Sequence, residues 1–362
     1  MRQLNKITRF DCESIPDIDA IYTKCAKDKY FSKIDFCKGY WQIPMEEESK
    51  KFTAFQTPFG HYQYLMMPFG LMNSGQTYSR VARKLLRGLK NVDNFIDDVL
   101  THTMEWLEHL SSLRALFESI RDANMRIRPT KCYFGYEEVG FTGHDLAAGE
   151  LRTQSDKTEK IKKAEPPTTK KQLRSFLGLA GFYRRFIPKF AEKAKPLTDL
   201  TGKGQPERVQ WQAAQQTAFD VLREELCSEP ILKLPDIRKR FVLRTDASAI
   251  GLGAVLMQEH EGTLFPCVYI SKKLLPRERN YSTIERECLA VVWAVEKLVR
   301  YLYGTEFVLQ TDHESLKYLQ RAKFDNQRVM RWSLLLQPYR YRVEYIKGCD
   351  NLAADFLSRS VE

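Results

Sequence analysis

The stretch DNFIDDVL, residues 93–100, sets two carboxylates side by side between apolar pairs. Asp97 and Asp98 repel each other, and neither is easily buried without something cationic beside it. Asp-Asp is common in turns. A solvated turn between two strands is therefore the plainer reading of these eight residues, and a metal-binding hairpin is the alternative. What surrounds the hairpin decides between the two readings, and with them the fold.

The chain has 362 residues, enough for two or three domains with separate cores. Its 43% hydrophobic and 28% charged residues are ordinary for a globular protein. The net charge of +11 points to a polyanionic partner. Eight cysteines are scattered from Cys12 to Cys349 without a C-x-x-C pair or a nearby His cluster. That argues against a zinc site or a disulfide framework and for a reducing compartment. No stretch approaches the roughly 20 apolar residues of a membrane span, and the first residues lack the apolar core of a signal peptide. The expectation is an intracellular, non-secreted protein, cytoplasmic in a particle or nuclear, with no membrane partner.

Working outward from the hairpin, residues 30–36 (YFSKIDF) and 39–45 (GYWQIPM) read as strands, and 51–67 as two strands joined at Pro58-Phe59-Gly60. Residues 73–90 read as a helix capped by Asn73 or Ser74, with Tyr78, Val81, Ala82, Leu85, Leu86 and Leu89 at helical spacing. After the hairpin a second helix carries Leu107, Leu110, Leu113, Phe117 and Ile120 on one stripe. Strands and helices mixed in this order predict an α+β domain rather than alternating βαβ units.

From Ser155 to about Arg208 bases outnumber acids, Lys157, Lys170, Arg184, Arg185, Lys189 and Lys193 among them. A helix opens after Pro166-Pro167, with Thr169 and Gln172 at capping-box spacing and a stripe of Leu173, Phe176, Leu177 and Ala180. Its basic face beside Phe182 and Tyr183 suits contact with a phosphate backbone. Near Pro235 a second α/β unit begins. Residues 240–259 read as two strands joined by a small-residue turn, 266–271 and 307–312 as strands, 283–302 as a helix, and 338–346 as an alternating strand; 351–359 read as a short final helix.

Phosphodiester-transferring enzymes commonly use two divalent cations roughly 3.5–4 Å apart. Such cations need clustered carboxylates on rigid elements. Asp35 ends a strand, and beside the Asp97-Asp98 apex it gives three acids on one sheet face. Four stretches in order, KIDFCKGYWQIPM (33–45), FQTPFGHYQYLMMPFGLMNSGQTY (55–78), NFIDDVL (94–100) and KCYFGYEEVGFTGH (131–144), resemble the reverse transcriptase of gypsy-type LTR retrotransposons. The resemblance implies that Asp35 and Asp97 hold metals and that Asp98 completes the triad. It also implies that Tyr40 gates the sugar, that Pro68, Phe69 and Gly70 pack around the incoming nucleotide, and that Thr142 and Gly143 touch the primer. Phe95 stands where the family usually has Tyr.

RTDASAIGLGAVL (244–256), YSTIERECLAVVWAVEK (281–297), VLQTDHESLKYL (308–319) and KGCDNLAADFLSR (347–359) resemble the RNase H domain of the same elements. They single out Asp246, Glu287, Asp312 and Asp355, four acids from four elements, as catalytic and metal-binding. Glu285 competes with Glu287, but the two lie about 200° apart on a helix, so only one faces the site. Ser282 and Glu285 have capping-box spacing, which gives Glu285 a structural task.

The resemblance thus implies a right-hand α+β polymerase palm with partial fingers (1–150), a helical, basic thumb-connection segment (151–234) and an α/β RNase H-like domain (235–362). The segment that usually supplies much of the fingers would lie outside this sequence, which weighs against polymerisation by this chain. The implied activities are RNA-directed DNA polymerase and ribonuclease H, with Mg²⁺ or Mn²⁺, two per active site. The implied partners are an RNA template, a DNA primer, dNTP and an RNA–DNA hybrid. The alternative is a truncated or host-adopted remnant that binds nucleic acid without catalysis. Sequence leaves the oligomeric state open.

Overall fold

A computed structural model describes residues 1–346 apart from 14–15, 229–230, 314–315 and 317–325. It divides into two compact units, Met1–Gly149 and Glu150–Glu362. No helix among the described residues is long and apolar enough to cross a membrane.

The first unit contains β1 (Tyr30–Asp35), β2 (Phe55–Thr57), β3 (Gly60–Tyr62), α1 (Ser74–Leu85), β4 (Val92–Phe95), β5 (Asp98–Thr103), α2 (Trp106–Asp122), β6 (Tyr133–Tyr136), β7 (Glu138–Phe141) and β8 (His144–Ala147). Its main sheet is antiparallel in the order β4-β5-β1-β6. Ile34 and Val99 from the two middle strands share a core with Tyr78, Ala82 and Leu85 of α1 and with Leu116 and Ile120 of α2. β2 and β3 form a separate hairpin, and β7 pairs antiparallel with β8.

Three expectations are corrected here. Residues 39–45 do not form a strand: Gly39–Gln42 is a 3₁₀ turn, and only the residues after it join a neighbour, through Met67 N–H to Ile43 and Met45 N–H to Leu65. The turn brings Gly39 against Tyr78, where a β-carbon would stand 2.7 Å from the ring. Asn73 occupies the N-cap position of α1, but its side chain makes no capping hydrogen bond. Its amide instead receives the Asp11 N–H and donates to the Arg9 carbonyl, anchoring the preceding segment. The buried face of α2 is His109, Ser112, Leu113, Leu116 and Ile120, while Leu107, Leu110 and Phe117 are exposed.

The second unit contains β9 (Glu150–Thr153), α3 (Lys170–Phe182), α4 (Phe190–Lys193), α5 (Ala213–Cys227), β10 (Ile231–Lys233), β11 (Phe241–Ala247), β12 (Gly251–His260), β13 (Thr263–Lys273), α6 (Thr283–Lys297), β14 (Glu306–Thr311), α7 (Gln327–Leu336) and β15 (Arg340–Tyr345). β11, β12 and β13 are antiparallel, and β14 and β15 extend the sheet in parallel, giving the order β13-β12-β11-β14-β15. α6 drives Cys288, Val291, Val292 and Val295 into the core beside Phe241, Leu243, Phe307 and Leu309.

The capping box of Thr169 and Gln172 starts α3, and Leu173, Phe176 and Ala180 are buried along it. The basic segment is less available to a phosphate backbone than its composition suggests. Tyr183 is wholly buried, and Lys170 and Lys189 are buried with it. Lys193 pairs with Glu225, and Lys195 with Asp199 at 2.8 Å.

Candidate active sites

In the first unit, Asp98 opens β5 directly opposite Asp35, the last residue of β1. Phe95 pairs with Asp98, so the hairpin closes through Ile96 and Asp97 alone. Asp97 is exposed at the tip. Ile96 belongs to the turn rather than to a strand, and its φ of 55° lies in the left-handed region. A two-residue hairpin wants positive φ at this position, normally from glycine, and a β-branched residue there is strained. Ile96 is held by packing against the core of the sheet and α1. That packing supports the turn that presents Asp97.

Lys33, two residues before Asp35 on the same strand, reaches Asp98 at 3.0 Å. Burial raises the Asp98 carboxyl above its usual range, and Asp97 and Asp35 add to the rise against the pull of Lys33. Tyr40, in the 3₁₀ turn, meets Phe69 edge-on at 5.3 Å and Tyr78 at 5.4 Å between ring centres. Burial, then Asp97, raises the phenols of both Tyr40 and Tyr78. Pro68 is buried while Phe69 is exposed, and Gly70 has a φ of 89°. The Thr142 hydroxyl lies 2.7 Å from that of Tyr22, and Gly143 follows it in the β7–β8 turn with a φ of 87°.

Among the described residues, two groups bring three metal-capable ligand atoms within 4.8 Å of one another, and Asp35-Asp97-Asp98 is not one of them. The first is Cys25, Asp28 and His102, which cysteine spacing did not reveal. Both ring nitrogens of His102 are already held, Nδ1 by Asp28 at 2.5 Å and Nε2 by Asp93 at 3.0 Å. Burial alone would push this imidazole down, but the bonds to Asp28 and Asp93 override it and raise its pKa to about 12. Asp28, His102 and Asp93 form a charged clamp.

The second group is Asp246, Glu287 and Asp312, drawn from β11, α6 and the residue that follows β14. Glu287 is 5% exposed. Its Oε1 accepts the Ala247 N–H at 3.3 Å, and its Oε2 is buried without a hydrogen bond. Burial, then the charges of Asp246 and Asp312, raise its pKa to about 8. Asp246 is buried and its Oδ2 is in ion-pair contact with Lys189. Three converging carboxylates, one with a bare buried oxygen, fit a hard divalent cation. Asp355 lies outside the described residues.

Glu285 takes no part in this group. Its carboxylate closes the capping box on Ser282 and accepts from Asn326 at 3.0 Å and Arg328 at 2.8 Å, tying the start of α6 to that of α7. Glu285→Ala is therefore expected to lower stability by about 1–2 kcal/mol, read in urea unfolding, with the carboxylate cluster intact.

Residues 1–146 match the family described as "Reverse transcriptase (RNA-dependent DNA polymerase)", and residues 236–339 that described as "RNase H-like domain found in reverse transcriptase". The "Retrovirus-related Pol polyprotein from transposon 297" of Drosophila melanogaster is 41% identical over 361 residues, covering 99% of this chain and 34% of the relative. The Pol polyprotein from transposon gypsy of the same organism is 36% identical over 372 residues, covering 99% and 36%. The chain thus spans about a third of the length of the curated relatives it matches. Among solved structures, a foamy viral protease-reverse transcriptase in complex with dsDNA superposes with a TM-score of 0.85 at 24% identity, over 96% of this chain and 74% of that one. The same type of protein in complex with an RNA/DNA hybrid gives 0.81 at 24%, over 96% and 48%. These two likenesses speak for the fold.

Proposed function

The chain belongs to the reverse transcriptase–RNase H region of gypsy-type retroelement Pol polyproteins, and on that premise we propose that it polymerises DNA on an RNA template and hydrolyses RNA in RNA–DNA hybrids. Residues 1–150 would be the palm with partial fingers, 151–234 the thumb and connection, and 235–362 the hydrolase. The observation that carries the reading is the convergence of Asp246, Glu287 and Asp312 within 4.8 Å. Template, primer and hybrid are proposed as partners because foamy viral proteins of this fold are solved with dsDNA and with an RNA/DNA hybrid.

In polymerisation a primer 3′-hydroxyl would attack the α-phosphate of a dNTP and release pyrophosphate; in hydrolysis water would attack an RNA phosphodiester and break its P–O3′ bond, leaving a 5′-phosphate and a 3′-hydroxyl. Bound Mg²⁺ or Mn²⁺, two per site, supplies the charge that activates the attacking oxygen and steadies the leaving one. On the first sheet Asp35 and Asp97 would hold the cations. Asp98, paired with Lys33, would complete the triad. Tyr40, braced edge-on by Phe69 and Tyr78, walls the place where a sugar would sit. In the second unit Asp246, Glu287 and Asp312 would hold them, with Glu287 oriented by the Ala247 N–H. Asp355 would join them.

Extension of poly(rA)·oligo(dT) and cleavage of a labelled hybrid, measured on one preparation, test this reading. Asp97→Asn is expected to cut extension by about 10²–10³-fold and leave cleavage unchanged. Hybrid binding that weakens steeply with salt, without metal-dependent turnover in either assay, would instead support the non-catalytic remnant.

A further inference from the structure

Lys189 belongs by sequence to the basic segment, yet its side chain is buried and its ammonium is in ion-pair contact with Asp246. Its backbone is left-handed, with φ 50°, a strain that a side chain bearing a β-carbon tolerates only when its surroundings hold it there. The aliphatic stem crosses β12 at Gly253, the residue paired with Asp246; a β-carbon on Gly253 would lie 3.4 Å from Lys189 Cγ. The residues that follow are fastened to the same sheet. The Ala191 N–H donates to Ser271 Oγ at 3.0 Å. Glu192 accepts from Ser248 Oγ at 2.5 Å, and its carboxylate covers Gly251, where a β-carbon would meet it at 3.1 Å. Asp246, Gly253 and Ser271 are in register across three strands. Residues 189–192 thus lie across the strand ends that present the carboxylates.

We propose that Lys189 is a built-in competitor for the divalent cation: its ammonium neutralises Asp246 in the cation-free chain, and the 189–192 segment must withdraw for the site to load. The inference rests on the assignment of Asp246, Glu287 and Asp312 as ligands. Three carboxylates this close need a counter-charge, and a buried ammonium needs a carboxylate. An ammonium and a divalent cation at the same carboxylate oxygen repel each other, so one excludes the other.

Mn²⁺ binding to the full chain, followed by calorimetry, tests this without any turnover. The sites lost in Asp246→Asn define the signal. Lys189→Met keeps the stem over Gly253 and removes the charge, and it is expected to bind Mn²⁺ at those sites about ten-fold more tightly than wild type, whereas Lys189→Arg is expected to show no such gain. Equal or weaker affinity in a folded Lys189→Met chain would overturn the proposal. Hydrogen exchange on the wild-type chain gives a second reading: Mn²⁺ is expected to speed exchange of the Ala191 amide, and unchanged protection at saturating Mn²⁺ would overturn withdrawal of the segment. The catalytic reading fails separately, by absence of hybrid cleavage in every variant while the affinity difference persists.

Discussion

Glu287→Gln is expected to reduce RNA cleavage by about 10²–10³-fold or more without lowering the stability of the fold. The two effects separate because of where the side chain sits. Gln retains an oxygen for the Ala247 N–H that now binds Glu287 at 3.3 Å, and it keeps the length and volume of the side chain among its neighbours on α6. It removes a charge whose Oε2 is buried without a hydrogen bond beside two more carboxylates. In the presence of a chelator that charge is a burden on the native state. The carboxyl is raised from 4.5 to about 8, so the native state holds its proton more tightly than the unfolded chain. The resulting stability is fully present below about pH 4.5 and is lost progressively as pH rises through about 8. Gln never incurs that loss. The stability advantage of Glu287→Gln in chelator should therefore grow between those limits and level off above them. Urea unfolding across this range, together with cleavage of a labelled hybrid in Mg²⁺, checks both halves. A variant that loses stability would mean that Glu287 is a packing residue. One that cleaves like wild type would remove it from the catalytic site. An active-site group that costs stability is a common trade in enzymes.

Much of this arrangement was legible in the sequence because local chemistry decides it. The capping box at Ser282 and Glu285 assigned Glu285 to the helix start and left Glu287 for the sheet, and the hydrogen bonds follow that division. The capping box at Thr169 and Gln172 was equally local. The hairpin apex followed from Asp-Asp between apolar pairs, although the strain at Ile96 did not, because backbone angles are imposed by the closure of the strands. What composition misread was burial of polar groups whose partners are distant in sequence. The stripe expected on α2 counted leucines and missed His109, which is fully buried because Ser32 holds Nε2 at 2.7 Å and Thr103 holds Nδ1 at 3.0 Å. A helix turned to bury His109 and Leu116 leaves Leu107 and Leu110 outside. Lys189 was misread for the same reason. In a run of bases it looks like a phosphate contact, and only the fold brings Asp246 to it, 57 residues later.

His102→Ala is expected to destabilise the first unit by about 3 kcal/mol near neutral pH, the lower end of what breaking a buried ionic pair costs, since Asp28 and Asp93 keep some access to water. His102 lies on β5, and its two nitrogens join that strand to Asp28 in the segment before β1 and to Asp93 on β4. Removing the ring leaves two carboxylates facing a cavity, with Lys24 still pairing with Asp93 at 2.6 Å. The pH dependence distinguishes a charged clamp from a neutral packing residue. The imidazole is raised from 6.5 to about 12, so its contribution is complete below about pH 6.5 and declines steadily until it is gone near 12. Asp93 is shifted the other way. Burial opposes ionisation there, but the bonds to His102 and Lys24 outweigh it and lower the carboxyl below 3.8, so its share is present above that value and lost as pH falls through the lowered one. The stability gap between wild type and His102→Ala should therefore be widest between about pH 4 and 6.5 and should narrow steadily into the alkaline range. Urea unfolding of both chains at about pH 6 and about pH 9 measures it. A gap that stays constant or widens with pH would show that the native imidazole is neutral. A chelator-induced fall in wild-type stability that is absent in His102→Ala would show that Cys25, Asp28 and His102 hold a metal after all, the proton on Nδ1 being what a metal there must displace.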